Sequence, residues 1–182
     1  MDTSLAIFLG IASSAAAAQD VRRGKIPNLI TFPTMAAGIV CHSVMDGLHG
    51  LFFGLGGLAL GISLFIFPYW IGKAGAGDAK LMGAAGAVIG PKGVLIAFVI
   101  TTLAGGLYAL IVLLLQRRYL RELGRRILAM LKTFASTAQI IYIRPAETEK
   151  APHLRYGVAI AFGTITFLFL EFLGYHFPTL PM

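Results

Sequence analysis

"LFFGLGGLALGISLFIFPYWIGKAGAGDAKLMGAAGAVIG", residues 51–90, decides how this chain folds. One apolar run reaches Ile71, and a second begins at Leu81. Between them, "GKAGAGDAKLM" (72–82) places glycines, two lysines and a single carboxylate, Asp78. A helix needs roughly 20 apolar residues to cross a bilayer. The break therefore reads as a loop between two membrane-spanning helices, and the carboxylate inside it asks for a reason.

Composition supports lipid as the main solvent. Of 182 residues, 57% are hydrophobic and 13% charged, against about 25% charged in soluble domains. One integral membrane domain over residues 1–182 is expected. The net charge of +7 lies in short clusters between apolar runs, which marks membrane topology rather than nucleic-acid binding. Cys41 is the only cysteine, so no intrachain disulfide or CxxC zinc site is available. "MDTSLAIFLGIASSAAAAQD" (1–20) lacks the positive start of a signal peptide and reads as a retained first helix.

The apolar runs predict an all-α polytopic protein, a bundle of six transmembrane helices. Their expected spans are Thr3–Gln19, Asn28–Met45, His49–Ile71, a short Ala79–Ile89, Gly93–Leu115 and Tyr156–Leu173. Arg22, Arg23, Lys25, Lys73, Lys80 and the basic run from Arg117 to Arg155 then fall on one side, with Lys92 on the other. This asymmetry predicts both termini outside and the glycine loop on the cytoplasmic side. Over 117–143, Leu120, Leu123, Ile127, Met130, Phe134, Ala138 and Ile141 alternate with arginines at helical spacing. That pattern predicts a cytoplasmic-side amphipathic helix on anionic headgroups, attracted by about 1 kcal/mol per basic residue. Gly50/Gly54, Gly57/Gly61 and Gly86/Gly90 have the small-xxx-small spacing of close helix packing. Pro33 is expected to bend its helix, and His42, His49, His153 and His176 show no ligand spacing.

There are only eight acidic residues. Glu122, Glu147 and Glu149 lie among basic residues, Asp2 and Asp46 in outer loops, and Glu171 near a helix end. Asp20 ends the first helix, where its charge opposes the macrodipole; pairing with Arg22, Arg23 or Lys25 is the plain explanation. Asp78 precedes a helix, where it would serve as an N-cap. Taken together, the two stand at cytoplasmic helix ends, where ionisable groups are costly to place: about 2.5–3.5 kcal/mol at a helix centre and less at its edge. Two facing carboxylates share one proton. The charged member can activate water while the neutral one protonates the substrate. Gly75 and Gly77 would let a peptide backbone approach.

"GAGDAKLM" (75–82) resembles the GxGD motif of intramembrane-type aspartic proteases, in the GxGDxK form of type IV prepilin peptidases. "DVRRGKIPN" (20–28) resembles that family's first motif, with Ile26, Pro27 and Asn28 following the basic loop. "LRYGVAIAFG" (154–163) is similar to its last helix. The resemblance implies a catalytic pair, Asp20 and Asp78, cutting the short basic leader from a prepilin helix at the cytoplasmic face of a prokaryotic inner membrane. It implies no metal and no organic cofactor. Lys80 matches the family's lysine, which either tunes the aspartate or obeys the positive-inside pattern. The paired CxxC motifs of the larger bifunctional members are absent, and with them the region associated with N-methylation. The chain thus looks like the short, peptidase-only kind of tight-adherence (Flp) pili, with archaeal-type preflagellin peptidases as the alternative. A small transporter, using the aspartates for protons or cations, would want polar residues at mid-membrane depth. A phosphotransferase would want hydroxyls around the loop, and a non-catalytic pilus scaffold differs only in lacking activity.

Overall fold

The computed structural model describes residues 3–70, 75–115 and 155–174, with helical positions at Arg121, Gly124, Arg125, Leu128 and Met130. The described residues form four helices: α1 (Thr3–Arg23), α2 (Asn28–Trp70), α3 (Ala76–Leu115) and α4 (Tyr156–Phe172). The all-helical, membrane-type architecture agrees with the sequence reading. α1, α2 and α3 are each long and apolar enough to cross a membrane, and α4 is apolar but shorter, at 17 residues.

Among the described residues four helices stand where the sequence suggested six, and two of them, α2 and α3, each contain one non-helical residue. In α2 the only residue outside helical angles is Gly47 (φ 60°, ψ −134°), and in α3 it is Gly90 (φ 74°, ψ 178°). Helical hydrogen bonding resumes at once, so no loop of several residues separates the predicted segments. Both glycines occupy the left-handed region that other residues avoid, and Pro33 is not where α2 breaks. At each glycine the chain turns back. A methyl on Gly50 would overlap the His42 carbonyl, and one on Gly54 would stand 3.2 Å from Ile39 Cα. In α3, a methyl on Gly86 would lie 3.2 Å from Val94 Cγ2, although eight residues of straight helix span about 12 Å. Pro91 follows Gly90 directly, a position where its missing N–H costs a new helical arm nothing.

The returning arms pack through the small residues. A methyl on Gly57 would overlap the Gly86 carbonyl, and one on Gly61 would come within 2.5 Å of the Met82 carbonyl. The reading of these glycines as packing residues thus has a direct steric basis. Gly57→Ala should lower stability by about 1–3 kcal/mol, the usual penalty for overpacking, measured as a drop in Tm of the purified protein. An unchanged Tm would show that the arms separate without penalty.

The core joins Leu5, Leu9 and Ala16 of α1 to Phe65, Leu81, Met82, Val88, Val94, Ala97, Ile160 and Phe167. Large apolar side chains such as Ile11, Val44, Phe52, Leu103 and Phe169 are exposed, as expected of faces that meet lipid. His42, which shows no ligand spacing in the sequence, has a structural role inside the fold. Its Nε2 lies 2.8 Å from the Val88 carbonyl and its ring meets Phe53 edge-on. The turn at Gly90 leaves carbonyls at the end of that arm without helical partners, and His42 supplies one.

The chain divides into two compact units, residues 1–105 with 155–182, and residues 106–154. The described part of the second is the end of α3 and the few helical positions up to Met130. Most of the predicted amphipathic helix lies outside the described residues, as do His153, His176, Glu147, Glu149 and the loop residues Gly72, Lys73 and Ala74.

Candidate active site

Asp20 belongs to the last turn of α1, which runs on to Arg23 rather than stopping at Gln19. Gly24 ends the helix at φ 63°, and its N–H donates to the Asp20 carbonyl at 2.8 Å, a left-handed glycine cap. The chain then passes Ile26 and Pro27 without regular structure, and the Ile30 N–H donates to the Pro27 carbonyl at 3.1 Å as α2 begins. Asp20 is 7% exposed. Its Oδ2 accepts the Gly157 N–H at 3.0 Å. That N–H belongs to the first turn of α4, whose free N–H groups and positive dipole end favour a negative charge. Arg22, Arg23 and Lys25 are exposed to solvent, so α4 meets the carboxylate while the plain explanation's basic residues point outward. The macrodipole penalty from α1 is offset by the opposite dipole of α4.

Asp78 lies in the first turn of α3, which begins at Ala76. The simple N-cap expectation is therefore shifted by one turn. Asp78 instead reaches back, its Oδ2 accepting the Gly75 N–H at 2.9 Å, while its own N–H donates to the Gly75 carbonyl at 3.1 Å. This is the acidic half of a capping box. Asp78 is 9% exposed. The charge of Asp20, far away in sequence, acts on Asp78, ranking after the burial of Asp78 and its bond to Gly75.

The neighbouring residues lie in the loop after α1 and at the starts of α2 and α3. Among the described residues, neither Gly75 nor Gly77 has a positive φ, so their backbones are ordinary. What Gly77 needs is space: a methyl there would stand 3.1 Å from Ile26 Cβ. Ile26 thus packs the loop after α1 onto the first turn of α3, in the room that the sequence reading reserved for a peptide. Lys80 Nζ donates to Asn28 Oδ1 at 3.0 Å and lies 5.3 Å from the Phe32 ring centroid. It ties the start of α3 to the start of α2. No contact of Lys80 with either aspartate is described.

Two residues escaped the sequence reading. At Gly157 a methyl would stand 2.8 Å from Asp20 Oδ2 and 3.0 Å from Asp20 Cβ. Gln19, the expected last residue of the first span, has its amide oxygen buried with no hydrogen-bond partner among the described residues. Neither has a local signal, because both depend on which helices meet.

Residues 7–110 match the type IV leader peptidase family. The chain belongs to that family. The match covers more than half of the sequence and includes Asp20, Ile26, Pro27, Asn28, Gly75, Gly77, Asp78 and Lys80; Gly157 lies beyond it. No curated protein and no solved structure gives a match. Family and apolar helices together make this leader peptidase a multi-pass membrane protein of prepilin-peptidase type.

Proposed function

We propose that this leader peptidase is an aspartic endopeptidase of the GxGD type, with Asp20 and Asp78 as its catalytic pair. The observation that carries the reading is the convergence of two buried carboxyls at the ends of different helices, each held by a backbone N–H. Those N–H groups come from Gly157 and Gly75, and among the described residues each bonds one carboxyl oxygen, leaving the second to meet water or substrate. The charged member of the pair removes a proton from water as the oxygen attacks the scissile carbonyl. The neutral member gives its proton to the departing amine. Gln19 offers its unpartnered amide oxygen to a substrate backbone N–H.

The substrate is a prepilin of the tight-adherence (Flp) type, entering laterally from lipid with its basic leader in the cytoplasm. The clustering of Arg22, Arg23, Lys25 and the 117–155 run favours that face for the site and both termini outside. In this reading each arm of α2 and α3 crosses the inner membrane separately. Lys80 positions the α2 and α3 starts around the pair, and the basic 117–150 segment rests on anionic lipid.

The test is co-expression with candidate prepilins, scored by the mobility shift of the shortened product and by its new N-terminal residue. Cleavage on the leader side of the apolar helix is the expected result. If no prepilin carrying a basic leader is shortened, the proposed substrate class is wrong.

A further inference from the structure

Among the described residues, three buried hydroxyl groups have no hydrogen-bond partner. Ser13 (1% exposed), Thr101 (1%) and Thr164 (0%) are buried, and no described residue hydrogen-bonds their side-chain oxygens. Their neighbours behave differently. Ser14 donates to the Gly10 carbonyl at 2.8 Å and Thr102 to the Phe98 carbonyl at 2.8 Å. Thr34 and Ser43 likewise bond the carbonyl one turn back in α2. In both adjacent pairs, Ser13/Ser14 and Thr101/Thr102, the outward hydroxyl satisfies itself on its own helix and the inward one does not.

The three lie at one level. α1 and α4 pack along each other, antiparallel, because the end of α1 meets the start of α4 at the Asp20–Gly157 bond. Ser13 precedes Asp20 by one heptad, and Thr164 follows Gly157 by one heptad. A heptad brings a helical residue back to nearly the same face, about 10 Å along the axis. Thr101 joins them from α3, since a methyl on Gly163 would overlap its hydroxyl.

A buried hydroxyl without a partner is destabilising. These three share a level yet, among the described residues, make no direct bond to one another, and a bridging water would satisfy them together. Buried waters characteristically take about three bonds from such groups. We propose that Ser13, Thr101 and Thr164 form a water-binding site that joins α1, α3 and α4 about one heptad beneath the Asp20 carboxylate. The site stands apart from the carboxyl pair and does not depend on the peptidase reading.

The test uses the purified full chain. A structure resolved finely enough to show ordered water should place a water peak within hydrogen-bonding distance of the three oxygens. Direct hydroxyl–hydroxyl bonds, bonds to the carbonyl one turn back, or an empty gap would each overturn the proposal. Thermal unfolding gives a second readout. Ser13→Ala, Thr101→Val and Thr164→Val should each lower Tm, because each strands the water and the remaining hydroxyls. The triple variant should recover most of that loss, as the water leaves with all its partners. Losses that simply add, or single variants with unchanged Tm, would overturn it.

Discussion

Asp78→Asn should yield a protein that inserts, unfolds close to the wild-type Tm and cleaves prepilin at least about 100-fold more slowly, the lower bound for losing a general acid or base. The stability half of this expectation follows from the hydrogen bond. An asparagine oxygen still accepts the Gly75 N–H that Asp78 Oδ2 accepts at 2.9 Å, so the first turn of α3 keeps its cap. Asp20→Asn should behave alike, since its amide oxygen can take the Gly157 N–H. Alanine at either position should differ, leaving a buried N–H without a partner at about 1–3 kcal/mol and lowering Tm as well as activity. The double Asn variant should be little slower than either single one, because residues that act as a unit are not additive. In the wild type the rate should fall on both sides of its optimum: acid protonates the water-activating carboxylate, and base removes the proton meant for the leaving amine. Near-normal processing by either Asn variant would remove the pair from the chemistry.

How far the sequence reached depends on the range of the interaction behind each feature. The apolar runs, the break before Asp78 and the packing role of Gly57 and Gly86 are local or periodic signals, and all were legible. The motif residues at 20–28 and 75–82 were legible because the resemblance lay in contiguous segments. The form of the breaks within α2 and α3 was not, because a single left-handed glycine at 47 or 90 interrupts each helix without the polar loop that a boundary normally shows. The contact of Ile26 with Gly77 was not legible, since only the fold brings the two together. The role of His42 was hidden for the same reason: its partner, the Val88 carbonyl, is exposed by a helix end that periodicity does not reveal. Gly157 is the extreme case, with its whole function defined by a residue at the other end of the chain.

That dependence makes Gly157→Ala the sharper probe of how the site is built. Alanine keeps the backbone N–H that Asp20 accepts, keeps the charge of every residue and favours helix by about 1 kcal/mol over glycine. Local propensity alone therefore predicts a slightly more stable protein. The tertiary geometry predicts the opposite. The added methyl would stand 2.8 Å from Asp20 Oδ2, 3.0 Å from its Cβ and 3.1 Å from its Cγ, inside the separation of about 3.5–4.0 Å at which carbon atoms attract. Asp20 is 7% exposed and lies in a helical turn, so its carboxyl can yield only by rotating away or by pushing α1 from α4. Either movement shifts one member of a pair whose chemistry depends on placement, and a misplacement of about 1 Å costs on the order of 100-fold in rate. The expected result is a loss of prepilin cleavage of that order with a lowered Tm, against near-normal insertion. Gly106→Ala is the control, because nothing lies within 4 Å of a methyl at that position, and it should gain or hold stability. Full activity in Gly157→Ala would show that α1 and α4 give way without disturbing the carboxyl, and that the Asp20–Gly157 contact does not set the geometry of the site.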